Sequence, residues 1–289
     1  MKRLMLAIGT LVAVLVALAA CGGSDNEQGN TSAPTPSSAV SAVAASPTPL
    51  PSGSLTVFAA GSLTETFNDM GSLLHQRYPG LNITFNFANA ADLRTQMELG
   101  AKADIFASAD HKQMNLAVQS GVVETESRVF ARNRLVVIVP KANSAGIKTL
   151  QDLAKPGVKI VLCNADCPVG NYARQFLQKA SADPSFGTDY GETVLGNLVS
   201  EETNVKQVVA KVQLDEADAG IVYSTDITPA VAGAVLKIVI PDALNLVAEY
   251  PVAITKDVAN RNLAQLFTDF LLSKEGQDTL EAHGFIRAD

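Results

Sequence analysis

Apolar residues recur along this chain at two spacings that keep trading places. Residues 54–60 form a short run of strand type containing Leu55, Val57 and Phe58. Past Gly61 and Ser62, the apolar positions Phe67, Met70, Leu73 and Leu74 fall three and four apart, as on one face of a helix. The pattern predicts strand, tight turn, helix, and it returns. Residues 83–88 read as a strand, and Asn89, Ala90, Ala91 and Asp92 lead into a helix through Leu93 and Met97. Residues 104–110 read as a third strand before a helix over residues 111–119. Residues 135–140 and 159–163 read as buried strands with a short helix from Leu150 between them, and a helix opens at Pro168. Another helix covers residues 205–212, and residues 219–223 make a strand running into Ser224. Strands at 236–240 and 250–254 precede a last helix through Leu263, Phe267, Phe270 and Leu271. This alternation predicts an α/β fold of two units, each a mostly parallel sheet flanked by helices, with a hinge and a ligand cleft between them.

Two N-terminal stretches stand outside that pattern. Lys2 and Arg3 precede an apolar run over residues 4–20 that is too short and too abruptly ended for a membrane span. It closes on Leu18, Ala19, Ala20 and Cys21, small residues before a cysteine, and polar Gly22, Gly23, Ser24 and Asp25 follow. Residues 1–21 therefore read as a lipoprotein signal peptide with a lipobox. Cys21 would be the lipidated first residue of the mature protein, anchored to the outer face of the cell membrane; the alternative is an ordinary signal with a chance cysteine. Residues 22–53 are dominated by Ser, Ala, Pro, Thr and Gly and cannot bury enough surface to offset their ordering entropy, so they read as a disordered tether. The remainder, from Ser54, is long enough for two domains, and the chain's 47% hydrophobic content supports their cores.

A net charge of −7 without basic clusters argues against nucleic acid as a partner and supplies no long-range attraction for an anion. Any anion site must then work through local dipoles. Setting Cys21 aside leaves Cys163 and Cys167, for which a disulfide is favoured in an oxidising compartment; His75, His111 and His283 are too scattered for a metal site.

In open parallel sheets, ligands sit beyond the carboxyl ends of strands, where helix N-termini present unpaired N–H groups. The turns that occupy such places are Gly61-Ser62, Asn89-Ala90-Ala91, Pro168 to Asn171, and Thr203-Asn204-Val205, and none contains Lys, Arg or His. Hydroxyl, amide and backbone N–H groups are what they offer. Several helix N-termini converging on one cleft can hold a dianion without a cationic side chain. Such a donor-only cage also selects: a guest that keeps a proton, such as hydrogen phosphate, buries an O–H without an acceptor at a cost of about 1 to 3 kcal/mol. Taken singly, Ser62, Asn89 and Asn204 read better as helix N-caps and Tyr223 as a core tyrosine; it is their combination across both units that points to an anion cage.

Catalysis is not expected. Ser62 has no histidine base nearby in the pattern and no Gly-x-Ser-x-Gly elbow around it. An organic-acid binder would call for an arginine clamp, which these turns lack. Asp104 and Asp110 read as caps of a strand end and a helix, and Glu201 and Glu202 as solvated residues, because paired carboxylates would repel a dianion.

With those residues in view, the chain resembles the periplasmic molybdate-binding proteins of molybdate ABC importers, within the type II solute-binding proteins. The resemblance runs from Leu55 to Ile286. It rests on residues 56–64, on Phe87, Ala88, Leu93 and Gln96, on residues 103–110, on Gly220 to Tyr223 with Asp226, and on residues 249–253. It implies a two-lobed periplasmic-binding-protein fold, lobe 1 being residues 54–132 plus 249–289 and lobe 2 residues 133–248. It implies capture of molybdate, and of tungstate, for an ABC permease by a monomer without a cofactor; the alternative is sulfate or another tetrahedral oxyanion. The molybdenum would have no direct protein ligand. Ser62 matches the serine that gives hydroxyl and backbone N–H to the anion, Val169 and Val205 match backbone donors, and Tyr223 the closing hydroxyl. Ala90 stands where the family usually has a second serine, so only its N–H can serve, with Asn89 as the candidate replacement for the missing hydroxyl. The cysteine pair is outside the family pattern; if bonded, it would stiffen the loop carrying Val169.

Overall fold

The structure, a computed structural model, describes residues 50–288. The signal peptide, Cys21 and nearly all of the predicted tether lie outside the described residues. The fold takes up the end of that tether: β1 (Gly53–Ala60) begins at Gly53, which pairs with Leu81 of β2 (Leu81–Ala88) and has φ +129, a conformation that a side chain would strain.

The strand-turn-helix units form as the apolar pattern predicts. After β1, one 3-10 turn at Gly61–Leu63 leads into α1 (Thr64–Arg77), and β2 leads into α2 (Ala90–Glu98). The third strand, β3 (Ile105–Ala107), is shorter than predicted and precedes α3 (His111–Gln119). Its flanks are tied up otherwise: the Asp104 carboxylate accepts from the Thr56 and Ala259 N–H groups, and Asp110 caps α3 by accepting from the Gln113 N–H at 2.8 Å. Leu55, Val57 and Ala59 of β1 pack with Phe67 and Met70, whereas Phe58 points to the other face, onto Leu93, Met97 and Met114. A parallel strand buried on both faces needs that continuous apolar run.

The second half repeats the theme with β5 (Ile160–Cys163), α4 (Pro168–Ser181), α5 (Tyr190–Gly196), β6 (Leu198–Glu202), α6 (Val205–Gln213) and β7 (Ala219–Tyr223). Its elements α5 and β6 carry too weak a pattern to be read in advance, and β6 is half-exposed. Past α7 (Pro229–Ala232) and β8 (Val235–Val239), the C-terminal region holds α8 (Arg261–Leu272) and a separate α9 (Lys274–Ala282), restarted by Ser273, whose hydroxyl accepts from the Gly276 N–H.

Strand order is β2-β1-β3-β9-β4-β7-β5-β6, where β4 is Arg128–Pro140 and β9 is Val247–Ile254. The outer groups, β2-β1-β3 and β7-β5-β6, are parallel as expected, and they meet through antiparallel β9 and β4. Strand β4 is longer than its apolar stretch. Residues Arg128–Arg134 pair with β9, and Leu135–Ile138 pair with β7. One strand thus belongs to both halves of the sheet.

Candidate functional site

The four turns singled out in the sequence come together. Ser62, Asn89 and Ala90 form one wall of a small cavity of about 20 Å³; Val169, Asn204, Val205 and Tyr223 form the facing wall. On that scale the space as it stands is that of about one water, which needs about 10 to 15 Å³. None of the lining residues is Lys, Arg, His, Asp or Glu. A wider groove of about 640 Å³ lies beside α1 and α8, but it is open and contains none of these turns.

The helix starts explain the wall. Asn89 Oδ1 accepts from the Ala91 N–H and caps α2, and Asn204 Oδ1 accepts from the Gln207 N–H and caps α6. Both asparagines are therefore the caps that the cautious reading allowed, and Asn89 keeps its amide nitrogen as a donor. Helix α4 starts at Pro168 with no side-chain cap, which leaves the following N–H groups to the cavity. Three helix N-termini, those of α2, α4 and α6, face one space, and each adds partial positive charge.

Two hydroxyls complete it. The Tyr223 hydroxyl is fully buried and has no hydrogen-bond partner among the described residues. Ser62, also buried, bonds its Oγ to the Tyr250 hydroxyl at 2.9 Å, and Tyr250 in turn accepts from Asn133 Nδ2 at 3.3 Å. Burial holds both tyrosine hydroxyls well above their ordinary pKa, so both keep their protons at neutral pH.

The α4 wall is fixed covalently. Cys163 and Cys167 form a disulfide across a Cα separation of 5.9 Å, and Cys167 itself lines the cavity. A side chain on Gly170 would collide with the carbonyls of Cys163 and Asn164, so only glycine lets α4 sit this close to the end of β5. Arg174 donates to the carbonyls of Cys163 and Gly170 and pairs with Glu201.

Charged groups stand behind the walls. Lys206, directly after Val205, is held by Glu65 at 2.8 Å and lies 3.7 Å from Asp226. Asp226 is fully buried and accepts from the Tyr223 N–H; burial pushes its carboxyl up to about 6, against the pull of Lys206. Glu201 is half-exposed as read from the sequence, but Glu202 is largely covered and bonded to Lys211 and Ser200. Sequence reasoning gave no role to Tyr250, Asn133, Lys206 or Asp226. Tyr250 and Asp226 did appear within the motifs quoted, and that was the available signal.

A donor-lined cavity on this α/β frame is the site of a protein that binds a small polar solute. The model of the bacterial extracellular solute-binding protein family matches residues 55–286, and the chain belongs to that family. Its members serve ABC transporters outside the cytoplasm and bind their solute without transforming it. Among relatives, the molybdate-binding protein ModA of Mycobacterium tuberculosis is 33% identical over 288 residues, covering 99% of this chain and 100% of that protein. The molybdate-binding protein ModA of Escherichia coli is 32% identical over 242 residues, covering 81% and 89%. Among solved structures, the substrate-binding domain of a candidate molybdenum ABC transporter from Clostridium difficile is 27% identical, with a TM-score of 0.61 over 82% of this chain and 99% of that one. The fold is that of the two-lobed periplasmic binding proteins.

Proposed function

We propose that this protein captures molybdate, and tungstate equally well, between two lobes and presents it to the permease of an ABC importer. The observation that carries the reading is the buried Tyr223 hydroxyl, unpartnered among the described residues, at a cavity ringed by helix N-termini and lined by no Lys, Arg, His, Asp or Glu. A buried polar group without a partner costs about 1 to 3 kcal/mol, and a guest oxygen relieves that cost. Ser62, Tyr223 and the N–H groups of Ala90, Val169 and Val205 donate to the anion; the Asn89 amide supplies the donor that Ala90 lacks. The metal atom is reached only by its own oxygens, and no resident cofactor enters. Donors from both walls touch the guest at once only when the lobes close, so binding favours the closed form that the permease reads. A lipidated Cys21, with the residues from 22 to the start of β1 as tether, holds the protein at the outer face of the membrane beside that permease.

Calorimetric titration with molybdate, tungstate, sulfate and hydrogen phosphate tests this. Molybdate and tungstate should bind with similar affinity, sulfate more weakly because the smaller ion leaves the donors over-extended, and hydrogen phosphate worst. Tight sulfate binding with none for molybdate would overturn the choice of ligand.

A further inference from the structure

A chain of buried hydrogen bonds runs from the strand shared by the two sheet halves to the Ser62 hydroxyl, and its direction can be worked out. Asn133, in β4, is fully buried. Its Oδ1 accepts from the Arg134 N–H at 2.9 Å, a donor that cannot reverse, and from Ser224 Oγ at 3.0 Å. The amide is thereby oriented, and Nδ2 faces Thr225 Oγ1 at 2.8 Å and the Tyr250 hydroxyl at 3.3 Å. Nδ2 can only donate, so the Tyr250 oxygen is the acceptor there. The phenolic proton then has Ser62 Oγ, 2.9 Å away, as its partner. With the opposite orientation the Tyr250 proton would be left to the neighbouring Tyr223 hydroxyl, with which it makes no hydrogen bond in this geometry. The Ser62 proton, unable to point back at Tyr250 without setting two O–H protons against each other, is left facing the cavity.

We propose that Tyr250, oriented by Asn133, is a specificity-determining positioning residue: by donating to Ser62 Oγ it commits the serine to donate to the guest, and so turns away tetrahedral oxyanions that retain a proton. This deepens the molybdate reading and rests on it. A hydrogen-bearing dianion meets a serine that cannot turn to accept without stranding its own proton, whereas a proton-free dianion meets a donor strengthened by the bond behind it. Molybdate itself satisfies the rule, and so does any fully deprotonated tetrahedral dianion of similar size.

The test uses selenate and hydrogen arsenate at mildly alkaline pH, two dianions of similar size that differ by one proton, with molybdate as the reference. Calorimetry on the unaltered protein should give the selenate affinity well above that for hydrogen arsenate. Tyr250→Phe keeps the ring packing and should lower that ratio by about tenfold. Ser62→Ala should lower it comparably, and Tyr250→Phe should add nothing in the Ser62→Ala background, because the tyrosine acts through the serine. Asn133→Ala, which frees the Tyr250 oxygen to accept from Ser62, should shift the ratio the same way and serves if Tyr250→Phe does not fold. An unchanged ratio in the folded variants, or a Tyr250→Phe effect that persists undiminished without the serine hydroxyl, overturns the proposal while the molybdate reading stands. Absence of molybdate binding to the unaltered protein overturns the reading beneath it, and this inference with it.

Discussion

The two walls of the cavity are preorganised by different means. The wall with Ser62 and Asn89 presents side-chain donors, each tied to a hydrogen-bond partner: Ser62 to Tyr250, and Asn89 to the start of α2. The wall with Val169 and Val205 presents backbone N–H groups from apolar residues, made rigid by a disulfide and by the close seat of Gly170, and it ends in a hydroxyl with nothing to bond. Before the guest arrives the hydroxyl of the first wall already has a partner in Tyr250, while that of the second has none among the described residues. A site can therefore gain affinity from rigidity on one side and from relief of an unpaired group on the other.

The sharpest way to break this contrast is to remove one hydroxyl from each wall. Ser62→Ala and Tyr223→Phe should each weaken molybdate binding by roughly tenfold to a hundredfold, a charge-assisted bond being worth about 1.5 to 3 kcal/mol, and more when combined. Their effects on the ligand-free protein should have opposite signs. Tyr223→Phe raises Tm by discarding an unpaired buried group, while Ser62→Ala lowers it by stranding the Tyr250 proton. Equal signs in a melting experiment would remove the distinction between the walls.

Next in size is Asp226, behind the second wall. Its carboxyl lies above its ordinary 3.8, at about 6 in the folded protein, because burial disfavours the charged form. Its contribution to stability is then fully present below about pH 4 and is lost as pH rises through about 6, up to about 3 kcal/mol in all. Asp226→Asn keeps an acceptor for the Tyr223 N–H and should abolish that part of the Tm decline, read by calorimetric melts across this range. A slope identical to the parent's would show that the carboxyl does not titrate there.

The disulfide follows. Replacing both Cys163 and Cys167 by serine should cost about 2 kcal/mol of stability for so short a loop, and lower molybdate affinity a few-fold by loosening Val169. Affinity unchanged in the reduced or substituted protein would show that Gly170 and Arg174 hold the wall unaided. The smallest effect is expected from Ala90→Ser, which adds a hydroxyl to the first wall and should tighten binding by about tenfold at most, as measured by the same titration.

The sequence made the turns legible because each sits where a period of two gives way to a period near four, and Asn89, Asp110 and Asn204 mark the helix starts by their own cap chemistry. It did not make β4 legible in full. Residues 128–134 carry Arg128, Arg132 and Arg134 among the apolar positions, since part of that stretch is exposed, and only residues 135–140 read as buried strand. The link from Ser62 to Tyr250 spans 188 positions and depends on strand register, which no local pattern records. Lys206 illustrates the same limit. Adjacent to a donor turn, it could pass for an anion ligand, and only the tertiary pairing with Glu65 shows that its charge is spoken for.

The absence of Lys, Arg and His from the cavity lining has a kinetic corollary. A chain carrying −7 overall repels a dianion at long range, and no Lys, Arg or His lines the cavity to oppose that field there. Dissolved electrolyte should therefore speed capture by screening the repulsion, while chloride, lacking the tetrahedral array of acceptors, competes poorly for the donors inside. A site built on lysines would instead be screened by the same electrolyte and occupied by common anions.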